Sequence, residues 1–317
     1  MKMRIAVLND IHHAYENTAG IRRLREHAQV EIFTGPISGP SDLRGFDAVI
    51  ANRERTLFTA EFLEQLPDLR IIAQTGNHAY HIDLEAAQKL GIVIAKATGG
   101  FCTSAGEFTF GLMMALMREI PWVDNAVKNG DWPTPMTRVL RGKTLGIVGM
   151  GNIGRYVAQV AQVFGMNVVA WGPRLTEEIA TAVGAKALDL DELMKQSDIV
   201  SVHATLAAES RGLIDARRLA LMKPSAYIVN TARGPIIDEA ALVHTLAEGR
   251  IAGAALDVFD QEPLPKGHAL TGLSNVILTS HIGWPTDEMY AQFADAAADA
   301  LLGWKQGIDV PRFLPHH

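Results

Sequence analysis

The chain has 317 residues, 48% apolar and 20% charged, with a formal net charge of -6, a composition that suits a globular protein of about two domains with large cores. The acidic balance excludes the basic footprint that nucleic acid requires, and no run of about 18 uninterrupted apolar residues exists to cross a bilayer. The one cysteine, Cys102, excludes an internal disulfide, and the opening "MKMRIAVLND" turns polar too soon for a signal peptide, so a soluble protein of a reducing cytosol is expected.

Short β-rich runs alternate with amphipathic, alanine-rich stretches, the pattern of parallel sheets flanked by helices. The first series contains "MRIAVL" (3–8), "FDAVI" (46–50), "LRIIAQ" (69–74) and "GIVIA" (91–95), with "DLEAAQKL" as a helix before the last. "CTSAGEFTFGLMMALMREI" has helical periodicity, with Thr103 or Ser104 as N-cap and Pro121 as stop, and forms the crossing between domains. Its methionine-rich face reads as core or as a dimer patch, which the tryptophans of "PWVDNAVKNGDWP" would extend. The second series is "TLGIVG" (144–149), "NVVAW" (167–171), "DIVSVH" (198–203), "AYIVNT" (226–231), "GAALDV" (253–258) and "NVILTS" (275–280). Six strands suit a doubly wound dinucleotide fold. The last stretch, "TDEMYAQFADAAADALLGWKQG", is a helix capped by Thr286 and closed by Gly307 that returns to the first domain.

In "LGIVGMGNIGRY", Gly149, Gly151 and Gly154 form G-x-G-x-x-G between a strand and a helix. Gly149 permits the tight turn, Gly151 lets the backbone approach a pyrophosphate, and Gly154 lets helix and strand pack closely. The anion then lies on the free N–H groups of the helix N-terminus. An acidic residue about 20 positions on usually holds the ribose hydroxyls. Here the second strand runs into Gly172, Pro173 and Arg174 instead. No carboxylate repels a 2'-phosphate there and one guanidinium attracts it, so NADP is at least as good a fit as NAD, unless Arg174 is simply a solvated loop residue.

Ligand crevices of open α/β sheets lie beyond the carboxyl ends of the strands. Arg233, Glu262 and His281 each follow a strand there. A planar guanidinium suits a carboxylate, an imidazole gives and takes a proton near neutrality, and a carboxylate beside the imidazole fixes the ring. Singly, each has a duller reading: a surface charge, a turn acid before Pro263, a buried core histidine. His203 ends another strand and lines the cofactor crevice. His12, His13, His78 and His81 form no zinc pattern with a cysteine pair, so no metal is implied.

"GKTLGIVGMGNIGR", "MKPSAYIVNTARGPIIDEAAL", "GRIAGAALDVFDQEPLP" and "NVILTSHIG" together resemble the D-isomer-specific 2-hydroxyacid dehydrogenases, from about residue 69 to residue 305. The resemblance implies two doubly wound parallel-sheet domains with an active-site cleft between them. A smaller flavodoxin-like substrate domain (1–100 and 285–317) would accompany a Rossmann domain (101–284), in a homodimer built through the nucleotide domains. Carried over by motif, Arg233 binds the substrate carboxylate and carbonyl, His281 is the acid/base and Glu262 is its partner. The loop "QTGNHAYHID" resembles the segment whose main-chain amides hold the carboxylate, at Thr75, Gly76, Asn77 and His78. Cofactor contacts are implied at Thr103, Asn152, Ile153, Ala204, Thr231, Ala232 and Gly283, with Asp257 on the nicotinamide carboxamide. The implied reaction is hydride transfer between NAD(P)H and a small 2-oxo acid. Oxidation of formate or phosphite, or a nucleotide-sensing corepressor on the same scaffold, are the alternatives. Gly172 departs from the aspartate of NAD-dependent members, and Asn77 and His78 from a small apolar residue and glycine.

Overall fold

The computed structural model describes residues 2–76, 78–99 and 103–315. The chain divides into two compact units, Met1–Phe101 with Pro285–His317, and Cys102–Trp284.

The first unit holds a five-stranded parallel sheet built from β1 (Met3–Val7), α1 (Ala19–His27), β2 (Ala28–Ile32), β3 (Ala48–Ala51), α2 (Ala60–Glu64), β4 (Ile71–Thr75), α3 (Leu84–Lys89) and β5 (Val93–Ala97), in the order β2-β1-β3-β4-β5. β3 and β4 are buried along their whole length, as central parallel strands covered on both faces must be. β2 was not anticipated. "AQVEI" is an edge strand with only its first residue buried, and it leaves α1 at Ala28 with no glycine or proline between them, so neither an apolar run nor a breaker marks it.

The second unit runs through α4 (Thr103–Met117), α5 (Ile120–Lys128), β6 (Thr144–Val148), α6 (Asn152–Val163), β7 (Asn167–Trp171), α7 (Glu177–Thr181), β8 (Lys186–Ala187), α8 (Leu190–Gln196), β9 (Ile199–Val202), α9 (Ala216–Leu219), β10 (Tyr227–Asn230), α10 (Glu239–Ala247), β11 (Gly253–Leu256) and β12 (Val276–Leu278). Its seven parallel strands are ordered β12-β11-β10-β9-β6-β7-β8, so the strand order reverses at β6 and β9. That is the doubly wound switch point, beyond which ligands bind. β8, two residues long, escaped the periodicity reading.

Two expectations for α4 need correction. Pro121 stops nothing: it sits in the first turn of α5, where a missing N–H costs least, and the break is at Glu119, in the left-handed region at φ 54°. Thr103 and Ser104 already lie inside α4, so neither is its N-cap. The methionine-rich face is core, because Phe110, Leu112, Met113, Leu116 and Met117 pack on the sheet beneath α6. α4 meets α6 closely enough that a Cβ on Gly106 would lie 2.4 Å from the Tyr156 ring.

The chain then returns to the first unit through α11 (Asp287–Lys305), whose N-cap Thr286 accepts from Met289 N–H at 3.2 Å. α11 packs on α1 so tightly that a Cβ on Gly20 would lie 2.2 Å from the Ala294 backbone. The segment after it pairs with the edge of β5 through Lys96 N–H to Pro311 O and Phe313 N–H to Ile94 O. Among the described residues, no helix is long and apolar enough to cross a membrane.

Candidate active site

The glycine loop leaves β6 and turns at Gly149, whose φ of 105° excludes a side chain at low cost. A Cβ there would also lie 2.4 Å from Ala204 N, so the loop presses against the segment leaving β9. At Gly154 a Cβ would lie 2.2 Å from Gly149 O, and helix and loop are in direct contact. Gly151 differs: a Cβ would meet nothing within 4 Å. The fold therefore needs glycine at 149 and 154, whereas at 151 the open space is what a pyrophosphate requires. Gly151 is the N-cap of α6 and offers no side-chain cap, which leaves the first N–H groups of a twelve-residue helix free for an anion.

In front of this loop lies a cavity of about 630 Å³. Of the residues that the sequence suggests for a cofactor, Gly149, Gly151, Gly172, Pro173, Arg174, His203 and Ala204 line it. Its wall does not include Thr103, Asn152, Ile153, Gly154, Thr231, Ala232, Asp257 or Gly283. Arg155, Trp171, Thr205, Glu209 and Ser210 also line the cavity and were not anticipated. Only the adjacency of β6 and β9 brings residues 203–210 opposite the glycine loop, across more than 50 positions that carry no local signal. A Cβ on Gly172 would meet only ordinary contacts at 3.6 Å, so close packing does not demand glycine here. Burial pushes the pKa of the His203 imidazole down to about 4, and its Nε2 lies 2.8 Å from Ser201 Oγ.

Arg233, Glu262 and His281 follow three consecutive strands, β10, β11 and β12. Asn230, buried at the end of β10, fixes the turn to Arg233: its amide donates to Arg233 O at 3.0 Å and its Oδ1 accepts from Ala232 N–H at 3.0 Å. The next residue, Gly234, packs so closely on Phe259 that a Cβ would lie 2.1 Å from its carbonyl carbon. The Phe259 N–H in turn donates to Glu262 Oε1 at 3.0 Å. Glu262 Oε2 accepts from His281 Nδ1 at 2.7 Å. Burial pushes the Glu262 carboxyl up, but the hydrogen bonds from His281 and Phe259 and the charges of His281 and Arg233 together hold it below its ordinary value.

Asp257 has a task that its motif did not reveal. Buried at the end of β11, it accepts from Thr279 Oγ1 at 2.6 Å, Ile282 N–H at 2.9 Å and Gly283 N–H at 2.9 Å. It thereby clamps both flanks of His281, which sits at φ 57° in the left-handed region. Strain of this kind persists only where the surroundings impose it.

Thr231 is hydrogen-bonded to Thr109, their hydroxyls 2.9 Å apart, which ties the end of β10 to α4. In the first unit, Thr75 Oγ1 accepts from Arg53 N–H at 2.9 Å and donates to Ala51 O at 3.1 Å. Gly76 follows at φ 92°, and His78 Nε2 lies 3.4 Å from Glu54 Oε2. Asn77 lies outside the described residues. Among the described residues, no group of three or more His, Cys, Asp or Glu is placed to hold a metal ion.

Residues 110–283 match the family model of the D-isomer specific 2-hydroxyacid dehydrogenases, NAD binding domain. The chain belongs to this family. A glyoxylate reductase of Aeropyrum pernix is 42% identical over 263 residues, 80% of this chain and 78% of the relative. A D-3-phosphoglycerate dehydrogenase of Methanocaldococcus jannaschii is 39% identical over 272 residues, 84% of this chain but only 52% of the relative, so the chain spans about half of that longer protein. A solved phosphoglycerate oxidoreductase from Vibrio cholerae superposes with a TM-score of 0.85 at 30% identity, covering 96% of this chain and 99% of that one. This 2-hydroxyacid dehydrogenase is an NAD(P)-dependent oxidoreductase that acts on the CH–OH group of its substrate.

Proposed function

We propose that this dehydrogenase reduces a small 2-oxo acid of the glyoxylate or hydroxypyruvate type to the D-2-hydroxy acid, with Arg233, Glu262 and His281 as its machinery. The observation that carries the reading is the 2.7 Å contact of His281 Nδ1 with Glu262 Oε2. Because the Nδ1–H donates to the carboxylate, Nε2 is the nitrogen left to exchange a proton with substrate. In the reducing direction His281 Nε2 donates to the carbonyl oxygen as it becomes a hydroxyl. Glu262 steadies the imidazolium, and Arg233 binds the carboxylate and offsets negative charge developing on the carbonyl oxygen. A nicotinamide cofactor, when bound, would supply the hydride for the new C–H bond. Thr75, Gly76 and His78 hold the carboxylate by main-chain N–H groups, and Asn77 shares that role by sequence.

The cavity at the switch point fits the cofactor, given the open space over Gly151 and the uncapped N-terminus of α6. Gly149, Gly151, Asn152, Ile153 and Gly154 would hold the pyrophosphate. Thr103, His203, Ala204, Thr231, Ala232, Asp257 and Gly283 would complete the contacts. NADPH fits at least as well as NADH. Arg174 is exposed on the cavity wall with no ion-pair partner among the described residues, Arg155 lines the same wall, and Gly172 puts no carboxylate at the end of β7, whereas Glu209 is the acid among the described lining residues. Glyoxylate leads as substrate because the glyoxylate reductase aligns over most of its length, the phosphoglycerate enzyme over about half.

The protein acts in the cytosol as a homodimer. Trp132 and Met136 are 83% and 93% exposed, Ile120 and Val139 52% and 63%, and these are the apolar side chains that a second copy would cover. The reading is tested by following oxidation of NADPH and NADH with glyoxylate, hydroxypyruvate, pyruvate and bulkier analogues. Turnover of at least one acid is expected. Cofactor binding without turnover of any would remove it.

A further inference from the structure

We propose that Gln74 and His81 are positioning residues that set the geometry of Thr75 and His78, an inference that rests on these residues helping to hold the substrate carboxylate. His81 is 5% exposed, and its Nε2 lies 3.1 Å from Gln74 Oε1. Gln74, wholly buried, uses its amide nitrogen to donate to Thr75 O at 2.7 Å and to Arg53 O at 3.3 Å. One side chain thus joins the end of β4, the segment leaving β3 and the far end of the loop. Since both amide hydrogens of Gln74 are directed at carbonyls, Oε1 can only accept, and His81 is the Nε2–H tautomer.

The imidazole also braces the loop from below. Its ring stands edge-on to His78 at 6.1 Å and to Tyr80 at 5.7 Å, and these two rings stack on each other at 4.6 Å. The backbone of His81 is held separately, by Phe58 N–H donating to His81 O at 2.9 Å. Burial lowers the imidazole's pKa and keeps it neutral. Its other nitrogen, Nδ1, is buried with no hydrogen-bond partner among the described residues. A phenylalanine would fill the same space without that orphan atom, so packing alone does not account for histidine. What histidine adds is the Nε2–H bond that fixes Gln74, and Gln74 fixes Thr75.

The test compares His81→Phe and His81→Gln with the wild type, using glyoxylate and the better of NADPH and NADH. Phenylalanine keeps the ring contacts and exchanges one buried unpartnered atom for another, so thermal stability is expected to change little. KM for glyoxylate is expected to rise about tenfold or more, with kcat within about threefold and cofactor affinity unchanged. His81→Gln, whose amide N–H reaches about as far as Nε2–H, is expected to restore most of the KM. An unchanged KM in His81→Phe, or a loss of stability with no KM effect, overturns the inference. Gly76→Ala separates it from the reading beneath: its Cβ would lie 3.3 Å from Arg53 Cδ at a left-handed φ. A raised KM in Gly76→Ala with none in His81→Phe sinks only the pair, whereas no effect in either sinks the carboxylate loop as well. Should His81→Phe not fold, the imidazole nitrogen resonances of wild-type His81 decide: an Nε2–H tautomer that shifts when the non-reducible analogue oxamate binds supports the inference, and the opposite tautomer or no shift overturns it.

Discussion

His281 Nδ1 and Glu262 Oε2 stand 2.7 Å apart on segments that leave adjacent strands, and the Phe259 N–H holds the other carboxylate oxygen. Glu262→Gln keeps the shape and removes the charge that favours the imidazolium. A fall in kcat of roughly 10- to 100-fold is expected, with cofactor affinity unchanged. The folded state holds the Glu262 carboxyl below its ordinary value of 4.5. Its contribution to stability is therefore complete above that pH and lost as pH falls through the lowered value, so denaturant melts of Glu262→Gln will show a flatter acid limb.

Alanine at the second and third glycines of the loop separates fold from ligand. Gly154→Ala forces a Cβ to within 2.2 Å of Gly149 O and is expected to cost several kcal/mol of stability. Gly151→Ala meets no protein atom, so its melting temperature will stay near wild type while the Kd for the cofactor rises. Equal thermal effects from both would make the loop a structural turn only.

Cofactor choice turns on Gly172 and Arg174. The Cβ of Gly172→Asp meets only ordinary contacts and its carboxylate would lie near the site of a 2'-phosphate, so NADPH affinity is expected to fall by about 10- to 100-fold and NADH affinity to hold or improve. Arg174→Ala should weaken NADPH selectively. Titrations with both nucleotides on each variant check this.

His203 gives a second pH effect, opposite in origin to that of Glu262. Its pKa of about 4 in the folded state lies below the 6.5 of an unburied imidazole, so the unfolded chain binds the extra proton first. Stability falls as pH drops from 6.5 towards 4, by at most about 3 kcal/mol. The His203 ring resonances will not titrate between pH 5 and 8, and His203→Gln will lose this part of the pH dependence.

The surface of Trp132 and Met136 makes a further prediction. Replacing both with lysine is expected to shift the solution mass from dimer to monomer. A monomeric wild type would contradict the dimer.

The central strands were legible because strands buried on both faces must be largely continuous apolar runs, as in the "AVIA" of β3. β2 and β8 were not, one being an edge strand with a single buried residue and the other only two residues long. Arg233, Glu262 and His281 stood out as polar residues just past strand ends, and the sheet order brings those ends side by side. Asp257 shows where that reasoning stops. Its three hydrogen bonds run to residues 22 to 26 positions away, and the left-handed φ they impose on His281 leaves no trace in composition or periodicity. The methionine stripe of α4 stays open between core and interface in the sequence because such a stripe looks alike in both, and only the packing shows that it is core.

The most direct test of the proposed machinery is the turnover of His281→Ala with glyoxylate at saturating cofactor, alongside its cofactor Kd. A drop of about 10²-fold or more in kcat with an unaltered Kd is predicted. A variant that turns over near the wild-type rate would show that another group delivers the proton, and the roles given to Glu262 and Arg233 would fall with it.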